Sequence, residues 1–93
     1  MGQSEVLGRI AREWGMSMEQ AIENVALRTR MRETMVRQAE RKPHLVEAEA
    51  VRDANNAFWM LTEESRQEHG QPDYPEIERR WRRWFREYAG RIA

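Results

Sequence analysis

Apolar residues recur along the chain at the three- and four-residue intervals of amphipathic helices. The clearest example follows Asp73, where bulky apolar residues form one helical row and arginines fill most of the positions between them. Such a row predicts a C-terminal helix that turns its aromatic side towards a core. The members of this row are Ile77, Trp81, Trp84, Phe85, Tyr88 and Ile92.

Start and stop signals divide the rest of the chain into further helices. Gly15 suits a helix end, and Ser17 followed by Gln20 has the spacing of a capping box. Pro43 marks another boundary, and either Asp73 or Tyr74 caps the last helix, with Glu76 at capping distance from Asp73. No alternating run indicates a strand, so the sequence predicts an all-α fold, a compact antiparallel bundle in one domain over residues 1–93. The predicted helices cover residues 3–14, 18–41, 43–69 and 74–91.

The two long middle helices each carry a main apolar stripe that predicts a buried face. Arg32 falls inside the stripe of the second helix. It is therefore either paired with a carboxylate or exposed, because the apolar stripe turns away from the core at that point. Thr62 is a residue type that can cap the start of a new helix. The third helix therefore either continues through Thr62 or restarts there. The second-helix stripe is Met18, Ala21, Ile22, Val25, Thr29, Val36 and Ala39. The third-helix face is Val46, Ala50, Val51, Ala54, Ala57, Phe58 and Leu61.

The charged residues add a local pattern and argue against one mode of nucleic-acid binding. The 16 basic and 16 acidic side chains balance, so the chain lacks the positive excess of a protein held to nucleic acid mainly by phosphates. The balance is uneven along the chain: residues 43–74 contain two basic and seven acidic residues, whereas residues 75–93 contain six and three. We therefore expect the acidic third helix to lie beside the basic fourth.

Residues that could carry catalysis or bind a metal are few. There is no cysteine, and His44 and His69 lie roughly 37 Å apart on one predicted helix. No glycine-rich phosphate loop occurs, and no apolar run approaches the ~18 residues of a membrane span. The sequence therefore predicts a non-enzymatic protein with no cofactor, no metal and no membrane span, and it favours a cytoplasmic location.

Some apolar residues lie off the main stripes and are candidates for binding a partner. Leu27, Met31 and Met35 form a second group on helix two, and Trp59 points about 155° away from the buried face of helix three, on the same side as Leu45. A central helix that touches two neighbours would bury both of its sides. Otherwise these five residues form a surface for another protein or a second copy, and the chain is an adaptor, inhibitor or accessory subunit.

The segment from Ile10 to Val25 resembles the helix-turn-helix of DNA-binding regulators. Ala11 lies four residues before the turn glycine Gly15, and Ser17 lies two after it. Asn24 occupies a position where the family usually has an apolar residue. The resemblance implies an alternative function, in which the start of the second helix contacts base edges. The side chains in question are Met18, Glu19, Gln20, Glu23 and Arg28.

Overall fold

The computed structural model describes residues 2–92 and consists of four α-helices and one short 3₁₀ helix. The predicted all-α bundle is confirmed, and the predicted bounds of the first and last helices match the structure. The helices are α1 (Gln3–Trp14), α2 (Met18–Ala39), α3 (Ala48–His69) and α4 (Tyr74–Arg91), and the 3₁₀ helix is Pro43–Val46.

Local capping explains where α2 and α4 begin. The Ser17 hydroxyl accepts a hydrogen bond of 3.2 Å from the Gln20 backbone N–H, and the Asp73 carboxylate accepts one of 3.3 Å from the Glu76 N–H. Gly15 ends α1 with a φ of 63°, in the left-handed region that glycine adopts without steric cost. These termini therefore follow from residues within a few positions of each boundary.

The predicted third helix, residues 43–69, is wrong at its start. Pro43 begins a separate 3₁₀ helix that carries Leu45 into the core, and Glu47 then adopts an extended conformation with a ψ of 157°. The chain leaves helical geometry there, so α3 starts only at Ala48. Further along, α3 continues through Thr62, because the Thr62 hydroxyl donates a hydrogen bond of 2.7 Å to the Phe58 carbonyl of the preceding turn instead of capping a new helix.

The aromatic row of α4 faces the core, as predicted. Trp81 is 1% exposed, stacks on Phe85 with ring centroids 5.0 Å apart, and donates its indole N–H to the Ala54 carbonyl of α3 over 3.2 Å. Ile77 and Phe85 are also buried, and Trp84, Tyr88 and Ile92 are partly buried. Burial of each large side chain of this kind stabilises the fold by about 1.5 to 3 kcal/mol.

The predicted buried face of α2 is wrong in part. Ile22 and Val36, both in the main stripe, are exposed, whereas Leu27, Met31 and Met35 are buried in one cluster with the α4 aromatics. The core selects that side because the large rings of α4 lie against it. The expected burial of Val46 and Val51 is also wrong, and both are exposed at the surface. Met18, another stripe residue, is exposed as well.

The helices form a flat assembly of 40 × 35 × 18 Å. The acidic α3 and the basic α4 lie side by side, as expected, and Arg80 of α4 reaches within 3.7 Å of Glu68 on α3. α2 contacts the 3₁₀ helix and α4, and α1 packs mainly against α2. α1 is therefore the helix with the fewest neighbours among those described.

Candidate protein-interaction surface

Four of the five residues predicted to bind a partner are core residues. Leu27, Met31, Met35 and Leu45 are buried in the central cluster, and none of them projects from the surface. Leu27, Met31 and Met35 lie off the main α2 stripe because they belong to a second side of α2, which faces the core. Leu45 differs from the expectation because it belongs to the 3₁₀ helix and not to the outer side of α3.

Trp59, the fifth residue, is partly buried in an aromatic cluster that joins α1 to α3. Its ring stacks on Trp14 with centroids 4.6 Å apart and planes 18° apart, and Phe58 meets it edge-on at 4.9 Å. The Arg28 guanidinium carbon lies 5.5 Å from the Trp59 ring centroid, within the range of a cation–π contact. Trp59 therefore already has intramolecular partners, although Trp14 leaves much of its own ring exposed.

The main stripe of α2 differs between its N-terminal half, which lies beside α1, and its C-terminal half. In the N-terminal half Ala21 is fully buried and Val25 is partly buried, although Met18 and Ile22 remain exposed. α1 is only 12 residues long, so it does not reach the second half of the 22-residue α2. Arg32 and Val36 of the stripe consequently face the surface.

Three valines meet at this C-terminal half and form a shallow cleft. Val36 of α2, Val46 of the 3₁₀ helix and Val51 of α3 are 56%, 46% and 41% exposed, and they line a common cavity of about 90 Å³. Exposed apolar side chains that line one cavity, unlike scattered single ones, make this surface a candidate binding site. We name this surface the valine cleft. Its lining is Arg28, Met31, Arg32, Met35, Val36, Val46, Val51, Ala54 and Asn55.

The charges of the valine cleft are all positive and lack acidic partners. No carboxylate oxygen among residues 2–92 lies within 4.0 Å of the guanidinium nitrogens of Arg28 or Arg32. None of the residues that line the cleft is acidic. The open question about Arg32 is thus answered within the described chain: this arginine is exposed and unpaired.

A few arginines elsewhere on the molecule are paired with carboxylates. Arg30, on another side of α2, forms two hydrogen bonds of 2.9 and 3.0 Å to Glu78 of α4, and Arg82 adds a third of 3.0 Å. The Arg30 hydrogen bonds are the largest cause that holds the pKa of Glu78 below its ordinary value. Among residues 2–92, ion pairs of this kind are formed by Arg30, Arg66, Arg80 and Arg82, so Arg28 and Arg32 share their unpaired state with most of the other arginines and are distinguished by lining an apolar cleft.

Two other grooves are apolar but differ from the valine cleft. One lies between α1 and α2, has a volume of about 370 Å³, and is lined by Val6, Leu7, Ile22, Val25 and Ala26. The other lies between α3 and α4, has a volume of about 490 Å³, and includes Met60 and Trp84 together with the carboxylates Glu49 and Asp53. The first groove has no charged residue in its lining. The second has Arg91 beside its two carboxylates, so neither combines exposed valines with a lining charge that is only positive.

The residues predicted from the helix-turn-helix resemblance have mixed surroundings. Met18, Glu19 and Glu23 are exposed, but the Gln20 side-chain amide donates a hydrogen bond of 2.6 Å to Gln71 in the α3–α4 loop. The remaining member, Arg28, lies over Trp59. DNA binding through this segment stays a prediction that nothing in the structure tests.

Asn24 is fully buried, at the position where the helix-turn-helix family has an apolar residue. Its amide nitrogen donates a hydrogen bond of 3.1 Å to the Tyr74 hydroxyl of α4, and its amide oxygen has no partner within the described chain. Burial is the largest cause that raises the pKa of Tyr74 above its ordinary value. Asn24 therefore serves as a polar link between α2 and α4.

The end of α3 and the start of α4 bring together one cluster that sequence spacing did not reveal. The side-chain ligand atoms of Glu68, His69 and Glu76 lie within 4.8 Å of one another. Arg80 lies 3.7 Å from Glu68 and 3.4 Å from Glu76, so it offsets the negative charge that would attract a cation. We interpret the cluster as an ion-pair network that connects the two helices.

Sequence reasoning missed the valine cleft because it assigned all three valines to buried faces. The available signal was Arg32, a charged residue in the middle of an apolar stripe, which indicates that a neighbouring helix does not cover that part of the stripe.

No helix within residues 2–92 combines the length and apolar character required to cross a bilayer. Comparison of the chain with protein-family models, curated proteins and solved structures finds no match.

Proposed function

We propose that the protein is a non-catalytic interaction module that binds another protein, or a second copy of itself, through the valine cleft. The observation that carries the proposal is the convergence of three exposed valines from three different elements on one cavity. Exposed apolar side chains that cluster in this way provide the desolvated centre of an interface, and the arginines beside them supply a polar rim. An adaptor, inhibitor or accessory subunit would act in this manner, and we keep the cytoplasm as its expected location.

The valine cleft is also held in place by the packing of the core beneath it. Its floor consists of Met31, Met35 and Ala54, which are buried core residues. A partner would therefore meet a surface held by the central packing of α2 and α3, and it would lose little free energy in ordering that surface.

The first prediction tests this function with a pair of matched variants. Val51→Glu places a charge at the centre of the cleft, and Met60→Glu places the same charge at an exposed position on another side of α3. Both substitutions introduce glutamate, a good helix former, at an exposed position, so we expect each to change the free energy of unfolding by only about 0.5 kcal/mol. Affinity capture from the native host, together with sedimentation of the purified protein, should show a partner or a dimer that Val51→Glu loses and Met60→Glu retains.

Two results would contradict the proposal. One is a wild-type protein that stays monomeric and captures nothing. The other is a Val51→Glu variant that captures the same proteins, in the same amounts, as the wild type.

A further inference from the structure

We propose that the occupant of the valine cleft is an acidic amphipathic helix from a different protein, with one of its carboxylates paired to Arg32. This inference rests on the proposed function and adds the chemical nature of the partner. It follows from three features of the cleft: the shape of the open stripe, the unpaired arginines, and the effect of those arginines on self-association.

The shape of the open stripe suits a helix because α1 already lies along the N-terminal half of α2. α1 is an amphipathic helix that packs mainly against α2, where Ala21 is fully buried. The row continues through Arg32 to Val36 and Ala39, over roughly 17 Å from Arg28 at 1.5 Å per residue. A partner helix of about three turns would extend the coverage that α1 begins.

Arg32 determines which kind of helix fits. A partner that covered the valines with apolar residues alone would remove water from the Arg32 guanidinium and leave this charge without a counterion, which is strongly unfavourable. A carboxylate at the edge of the partner's apolar stripe would replace that water with two parallel charge-assisted hydrogen bonds. Arg28 lies at the boundary with the Trp59 cluster and extends the positive field towards α1.

The same arginines argue against a second copy as the occupant. A two-fold contact between two valine clefts would bring Arg28 and Arg32 of both copies close together. No carboxylate lines the cleft to separate these like charges. The charge of the cleft is thus complementary to an acidic partner and not to itself.

The second prediction is tested with two designed peptides and the full-length protein. Each peptide has about 14 residues, enough for the open stripe, with leucines at three- and four-residue spacing. One peptide carries glutamate on both borders of its leucine stripe, and the other carries lysine at the same positions. Binding is measured by fluorescence anisotropy of labelled peptide, and the contact surface is mapped by backbone amide chemical shifts.

We expect the glutamate peptide to bind at least about tenfold more tightly than the lysine peptide, because only the glutamates can pair with the cleft arginines. Binding should weaken as the salt concentration rises from about 0.05 M to about 0.5 M. Arg32→Glu should reverse the preference between the two peptides. Arg37→Glu, a control at an exposed position of α2 that does not line the cleft, should leave the preference unchanged.

Several outcomes would overturn the inference about the partner. These are equal binding of the two peptides, binding of neither, chemical-shift changes centred on another groove, or self-association that Val51→Glu abolishes. Binding of a DNA duplex that Arg32→Glu abolishes would assign the arginines to phosphates instead. If Val51→Glu still loses a native partner in any of these cases, the proposed function survives and only the chemistry of the partner is wrong.

Discussion

Single side chains show how a polar group is accommodated where helices meet. Tyr88 of α4 donates a hydrogen bond of 2.8 Å from its hydroxyl to the Asp53 carboxylate of α3. Burial of the phenol, together with the hydrogen bond to the Asp53 carboxylate, raises the pKa of Tyr88 to about 12. Loss of this proton would leave a phenolate facing a carboxylate, so the contact stabilises the fold only while Tyr88 is protonated.

The third prediction concerns stability at high pH. The pKa of Tyr88 is raised from 10.0 in the unfolded chain to about 12 in the folded protein. Between these two values the folded state holds a proton that the unfolded state has released. The stabilising contribution is therefore complete below pH 10 and is lost as the pH rises to about 12. Urea denaturation should show that wild-type stability falls more steeply in this window than that of Tyr88→Phe. Equal slopes for the two proteins would contradict the prediction.

At the scale of whole helices, the ends were predicted from the sequence more reliably than the faces. Ser17, Asp73 and Gly15 act through hydrogen bonds or backbone conformation within a few residues, so the starts of α2 and α4 and the end of α1 required no knowledge of the fold. The break between the 3₁₀ helix and α3 was missed because it depends on Leu45 reaching a core that the local sequence does not describe.

The fourth prediction compares two glycines with different backbone conformations, one left-handed and one helical. Gly15 has a φ of 63° at the end of α1, whereas Gly8 lies inside α1, where a Cβ atom would approach only the flexible Arg12 guanidinium at 3.4 Å. Gly15→Ala should destabilise the protein by about 1 kcal/mol, because alanine is strained in the left-handed region. Gly8→Ala should stabilise it by about 0.5 to 1 kcal/mol through higher helix propensity.

Both effects of the glycine substitutions are measurable as shifts of the urea midpoint with an unchanged slope. A Gly15→Ala variant as stable as Gly8→Ala would show that the turn between α1 and α2 does not need the conformation described.

For the whole molecule, the arrangement of the helices implies unequal local stability. α3 and α4 share the buried aromatic core around Trp81, and α2 joins it through Leu27 and the two methionines that follow. α1 is joined to the rest mainly by the α2 stripe and by the stack of Trp14 on Trp59. A helix with so few neighbours opens more readily than the core.

The fifth prediction follows from that difference. Native-state hydrogen exchange should show that the α1 amides exchange through local opening, whereas the central amides of α3 and α4 exchange only through global unfolding. Trp14→Ala should lower the protection of α1 further, and it should lower the protection of α4 by the same free energy, because global unfolding includes the opening of α1; the difference in protection between the two helices should therefore remain. If the α1 amides share the protection of α4, α1 is an integral part of the cooperative core.

The sequence by itself determined the all-α class, the ends of α1 and α4, the caps, and the inward orientation of the α4 aromatic row. These features depend on backbone geometry over a few residues or on a helix with only one apolar side. Tertiary structure alone decided which side of α2 is buried and where the valine cleft lies. α2 has two apolar sides, and the choice between them depended on the large rings of α4. The short α1 covers only part of the other side, so Val36 and Arg32 remain at the surface.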